Sequence, residues 1–171
     1  TQGLPRVEEI FEARAPKTES ILSEVDGQVK TIARDSAKVV KIMVIDNDKK
    51  EHEYQVPQNV ALKVKEGDLV SVGTILSEGH IDLRKLFTIM GQEAVHRYII
   101  REIEEIYATQ GEAINDKHIE VIVRQMLRRI RVVDVGDSEE FLVDEQVERH
   151  IFEEENERVI LAGGQPAKGD P

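Results

Sequence analysis

Lys41-Ile-Met-Val-Ile-Asp-Asn-Asp-Lys-Lys-Glu-His-Glu-Tyr-Gln-Val56 sets an apolar β-type run and a second short run on either side of the polar stretch Asp46–Lys50. Two such runs about a turn sequence predict a β-hairpin. The flanking sequence has the same character. Val25, Val29, Val39 and Val40 fall in short runs broken by Gly27, and Val64–Leu76 implies two short strands about Gly67 and Gly73. Residues 18–79 therefore read as a compact all-β module.

Outside the module the period changes from two residues to that of a helix. Upstream, residues 4–14 place Val7, Ile10 and Phe11 on one face, with Pro5 suited to a first helical turn and Ala15-Pro16 as the stop. Downstream, residues 80–90 read as a short helix and linker that Asp82 can cap, with Gly91 marking a join. Residues 92–109 carry an apolar stripe at Val95, Ile99, Ile103 and Ile106, and Gln110-Gly111 ends it. Asn115 or Asp116 caps the next helix, whose stripe is Ile119, Ile122, Val123, Met126, Leu127 and Ile130. Two helices joined so closely are expected to form an antiparallel αα-hairpin.

Val132–Val135 reads as a strand leaving that hairpin. Residues 143–157 read as an acidic helix with Val147, Ile151 and Phe152 inward, and Gly163–Pro171 as a tail with no regular structure of its own. The expected fold class is α+β: a small all-β module, an antiparallel helical hairpin and flanking helices. The expected divisions are 1–17, 18–79, 80–135 and 136–171.

Composition limits the functions on offer. The 171 residues include 33% charged and 4% aromatic residues, so the core must be built from Ile, Val and Leu. No Cys is present, which excludes disulfides and thiolate metal sites and favours a cytosolic setting. No apolar run approaches a membrane span, and the start lacks the pattern of a signal peptide and an initiator Met, as expected of an excised segment or a processed product. A net charge of −11 argues against tight, independent nucleic-acid binding.

Known catalytic patterns are missing. The five His residues, His52, His80, His96, His118 and His150, have no metal-ligand spacing. Asp46–Glu51 lacks the third acidic position, the central Gly and the distant Glu of a calcium loop. No phosphate-binding glycine loop, nucleophile elbow or Asp-x-Asp-x-Asp cluster occurs.

Two basic sets remain. Arg124, Arg128 and Arg131 fall on one helix face by spacing, either as a solvated face paired with Glu residues of the neighbouring helix or as a phosphate or partner contact. Lys30, Arg34, Lys38 and Lys41 form a looser set on the β module. They serve either as a DNA-backbone contact or as edge charges that discourage aggregation.

Three stretches in order resemble the C-terminal jaw region of the bacterial RNA polymerase largest subunit, β′: Gln2–Arg14, Val64–Gly79, and Gly111–Leu127 preceded by a helix like Ala94–Thr109. The resemblance covers nearly the whole chain and is weakest over residues 35–60. It implies a β module of barrel-sandwich type, with residues 1–17 continuing from the trigger-loop region. It also implies a non-catalytic segment that helps hold downstream duplex DNA, inside an enzyme whose magnesium and zinc are bound elsewhere. The implied partners are the rest of β′, the β, α, ω and σ subunits, downstream duplex DNA and transcription regulators, with no membrane. The implied setting is the bacterial cytoplasm at the nucleoid. The rival reading is a biotinyl- or lipoyl-type carrier using Lys49 or Lys50 at the hairpin tip; a third, compatible with the jaw, is a regulator-binding adaptor using the acidic helix 139–157.

Overall fold

The structure is a computed structural model that describes residues 2–34 and 38–171. Among the described residues, five helices and seven strands make an α+β fold with two antiparallel sheets, one of them curled into a half-barrel. The chain divides into two compact units, Thr1–Val95 and His96–Pro171.

In the first unit, β1 (Gly27–Arg34), β2 (Val39–Asp46), β3 (Glu51–Pro57) and β4 (Leu69–Val70) form a sheet in the order β3-β2-β1-β4. The hairpin read from Lys41–Val56 is β2–β3. Its turn is built by Asp46, whose Oδ1 accepts the N–H groups of Asp48 and Lys50, both at 2.9 Å. Lys49 closes the turn in the left-handed region at φ 63, as a short hairpin loop of this kind requires.

Strand alternation places Val40, Ile42 and Val44 inward. In register with them, Val29, Ile32, Tyr54 and Val56 come from β1 and β3. Val64, Val70 and Leu76 complete this core. Residues 64–76 form less strand than their pattern implies: only Leu69–Val70 is a strand, and single bridges, Leu22 to Ile75 and Leu62 to Ser77, hold the segment. The two-residue span fits the turns that Gly67 and Gly73 make at φ 90 and φ 85.

Two helices flank this module. The first, α1 (Leu4–Phe11), is three residues shorter than its pattern suggests, because Ala13 turns left-handed at φ 50 before Ala15-Pro16 is reached. Then α2 (Leu83–Met90) starts at Asp82, whose carboxylate accepts the N–H groups of Arg84 and Lys85, and ends at Gly91 with φ 82.

From there α3 (Gln92–Thr109) carries the chain across the boundary into the second unit. Asn115 caps α4 (Asp116–Met126), accepting the Lys117 N–H at 3.0 Å. Ile99, Ile103, Ile119 and Val123 are all fully buried, whereas Ile122 of the same expected stripe is exposed and Ile130 lies beyond the helix, in a strand. The Glu104 carboxyl on α3 hydrogen-bonds with that of Asp116 in the first turn of α4, which raises the Glu104 pKa.

The second sheet, in the order β6-β5-β7, contains β5 (Arg129–Asp134), β6 (Gln146–Glu148) and β7 (Lys168–Asp170). Helix α5 (Arg149–Leu161) follows β6 directly. The expected helix over 143–157 is therefore displaced. Asp144 is left-handed at φ 67, and Val147 pairs with Ile130 across the sheet instead of joining a helix stripe. Pairing with β5 outweighs the local helical period. Phe152, Glu155 and Val159 face inward, whereas Ile151 is largely exposed. Phe152 stacks on Phe141 with centroids 5.5 Å apart, beside Ile130, Val132 and Ala167.

The tail acquires order from its neighbours. The Asn156 amide donates to the Ala167 carbonyl at 3.0 Å, and its Oδ1 accepts the Ala167 N–H at 2.7 Å. Lys168–Asp170 then pairs with β5.

Candidate functional site

The register of β1 against β2 decides where the basic residues of the β module point. Pairing steps from Val29 opposite Val44 to Thr31 opposite Met43, so Lys30 is the extra residue of a bulge. Its ammonium donates to Glu51 Oε1 at 2.8 Å, and that bond holds the Glu51 carboxyl below the usual range. Lys41 alternates with the buried Val40 and Ile42, so it lies on the opposite face of the sheet, 3.6 Å from Glu53. Arg34 pairs opposite Val40, on the core side of the sheet, but at the strand end where it is exposed. Lys38 leads into β2 with φ 61 and is also exposed.

The four residues do not form one row. Lys30 and Lys41 sit beside carboxylates within the sheet, whereas Arg34 and Lys38 flank the β1–β2 connection. Among the described residues Arg34 and Lys38 have no ion-pair partner. Asp35–Ala37, between them, lie outside the described residues.

The second basic set does not share a helix face. Arg124 is in the last turn of α4, Arg128 lies beyond its end, and Arg131 belongs to β5. The helical repeat breaks at Leu127, and the chain enters the strand two residues later. The acidic partners are accordingly on strands. Arg128 Nε donates to Glu148 Oε2 at 2.7 Å, Arg129 lies 3.8 Å from the same carboxylate, and Arg131 lies 3.9 Å from Asp170. Arg128, and then Arg129, hold the Glu148 carboxyl below its usual range. Arg124 is exposed, without an ion pair among the described residues.

Sequence reasoning missed Arg149 and Glu155. Arg149 Nε donates to the Leu127 carbonyl at 2.8 Å and ties the start of α5 to the end of α4, while burial pulls its pKa below the ordinary arginine value. Glu155 is only 4% exposed, accepts from Ser138 Oγ at 2.7 Å and receives two bonds from Arg158, each at 2.7 Å. Neither stands out in sequence, because each is one charged residue in a charged stretch.

Among the described residues no three His, Asp or Glu side chains converge as metal ligands, and no helix is long and apolar enough to cross a membrane. What the described site offers is exposed basic side chains, the kind of group that can meet a phosphate backbone.

Against known proteins, the family described as RNA polymerase Rpb1, domain 5, matches residues 1–160. The chain belongs to this family. It is similar over its whole length to the DNA-directed RNA polymerase subunit beta' of Bdellovibrio bacteriovorus, at 46% identity, and to that of Acidothermus cellulolyticus, at 47%. The matches span only 12% and 13% of those relatives, so the chain corresponds to about an eighth of a β′ subunit. Within Gly111–Leu127, the cap at Asn115 and the buried Ile119 and Val123 give the segment a packing role.

Proposed function

We propose that this β′ segment is a non-catalytic, jaw-type part of a DNA-directed RNA polymerase that helps hold downstream duplex DNA during transcription. The observation that carries the reading is the similarity to β′ subunits along the entire chain. Arg34 and Lys38, exposed and without ion pairs among the described residues, support the DNA role. Backbone contact needs only such cations, because phosphates position a protein without reading sequence.

On this reading nucleotidyl transfer belongs to the assembled enzyme, with its magnesium and zinc held outside this segment. The partners are the rest of β′ and the β, α, ω and σ subunits, and the setting is the bacterial nucleoid. The net charge of −11 fits a part that meets DNA only when other parts of the channel supply the positive field.

The test is a reconstituted polymerase on a nucleic-acid scaffold. A photo-crosslinker placed at Arg34 or Lys38 should label the downstream duplex. Arg34→Ala with Lys38→Ala should reduce the slope of log affinity against log salt by about one to two. Lys30→Ala with Lys41→Ala should do less, because Glu51 and Glu53 already balance those charges. No crosslink and an unchanged slope would remove the DNA-holding role while leaving the family assignment intact.

A further inference from the structure

Lys17, Thr18, Lys63, Glu78, Gly79 and His80 line a depression of about 340 Å³ on the first unit, and none of them belongs to either basic set. Its floor is firmly built. Residues 76–80 form a spine stitched on one side to the segment after Lys17: the His80 N–H donates to the Thr18 carbonyl, and the Ser20 N–H to the His80 carbonyl, both at 2.9 Å. On the other side the Lys63 N–H donates to the Leu76 carbonyl at 2.9 Å, and the Glu78 N–H to the Ala61 carbonyl at 2.8 Å. The buried Ser20 and Ser77 lock the join, with Ser20 Oγ on the Ser77 carbonyl at 2.7 Å. Gly79 lets the two segments close up, since a Cβ there would lie 2.7 Å from the Thr18 carbonyl oxygen.

This framework fixes the bases of two lysines. Lys17 follows the buried Pro16, and Lys63 precedes the buried Val64, so neither main chain is free to swing away. Both side chains are exposed, and among the described residues neither forms an ion pair. Glu78 is the one carboxylate lining the depression, against two ammonium groups. The depression is thus concave, cationic on balance, and supplied with the Thr18 hydroxyl as a further donor.

We infer that the depression formed by Lys17, Thr18 and Lys63 is a phosphate-binding site that takes a backbone phosphodiester of the polymerase's nucleic acid. Lysine ammonium groups bind phosphate as point charges, and both lysines line this one depression. The site rests on the reading that the segment works beside nucleic acid, and it adds a contact point separate from Arg34 and Lys38.

Lysine footprinting of the reconstituted polymerase tests it. The enzyme is acetylated with limiting reagent alone, with a nucleic-acid scaffold, and with inorganic phosphate at matched ionic strength, and each lysine is quantified by mass spectrometry. Lys17 and Lys63 should be reactive in the free enzyme and several-fold protected by the scaffold, but little by inorganic phosphate. Lys17→Ala with Lys63→Ala should also lower the salt slope by about one.

Protection by inorganic phosphate equal to that by the scaffold would overturn the nucleic-acid assignment and leave a free-anion pocket. Lysines unreactive in every state would mean that protein covers the site, and lysines reactive in every state that nothing binds there; either result overturns the inference. Lys38 separates the two claims: if Lys38 is protected while Lys17 and Lys63 are not, this site fails and the DNA-holding role stands. If none of the three is protected, both fail.

Discussion

Asn156→Ala should release the C-terminal strand without unfolding the rest of the second unit. The wild-type amide satisfies both the N–H and the carbonyl of Ala167, at 2.7 Å and 3.0 Å, and Ala167 is only 6% exposed. Each hydrogen bond contributes about 1 kcal/mol net, and a buried main-chain group left unpaired costs about 1–3 kcal/mol. The expected loss is therefore about 2–3 kcal/mol, measured locally over Asn156–Asp170. Hydrogen exchange reads it directly, because about 2 kcal/mol corresponds to roughly thirtyfold faster exchange where local opening controls the rate. Amides of Lys168–Asp170 and their β5 partners should accelerate by that factor, while Ile42 and Val44 in the other unit should not change. Asn156→Asp should fall between, since it keeps the acceptor for the Ala167 N–H but sets a charge against the Ala167 carbonyl. Exchange at β7 within about twofold of wild type in Asn156→Ala would refute the claim that this amide orders the tail.

Other expectations follow from single contacts. Gly27→Ala would drive a Cβ into the Ile45 carbonyl within the β1–β2 ladder, where the main chain cannot yield, and should cost about 3 kcal/mol or more in denaturant unfolding of the first unit. Lys49→Gly should stabilise the same unit by about 0.5–1 kcal/mol, because Lys49 holds φ 63 and Gly takes that conformation without strain.

Two carboxyls should act oppositely with pH. Glu155 has a lowered pKa, first from Arg158 and then from Ser138, so its contribution is complete above the ordinary glutamate value and is lost as pH falls through the lowered one. Glu104, raised by its hydrogen bond to Asp116, contributes below the ordinary value and loses that contribution as pH rises through the raised one. Melting curves across the acid range should therefore show Glu155→Gln flattening the acid loss of stability, and Glu104→Gln gaining on wild type as pH approaches neutrality.

Features set within a few residues are legible in the linear chain. The β2–β3 hairpin, the caps at Asp82 and Asn115, Pro5 in the first turn of α1 and the bounds of α3 all follow from local backbone chemistry, and all are present. The family is equally legible, since the spacing of the Gly111–Leu127 motif needs no folding to be read. The candidate site is legible only as residue types. That Lys30 sits in a bulge beside Glu51 depends on β3, and that Arg128 meets Glu148 depends on a strand twenty residues away.

The sequence by itself thus determined which segments could be helix or strand, and to which enzyme the chain is related, because turns, caps and periods are short-range. Tertiary structure alone decided where the pattern yields: Gln146–Glu148 became strand, α5 began late, and the tail folded back on β5 through Asn156. It also brought Lys17 and Lys63 to one depression across a spine of residues 76–80. The physical reason is the same in each case. Long-range strand pairing and burial outweigh the local preferences of a few residues, and only the folded chain shows which distant partner each charge finds.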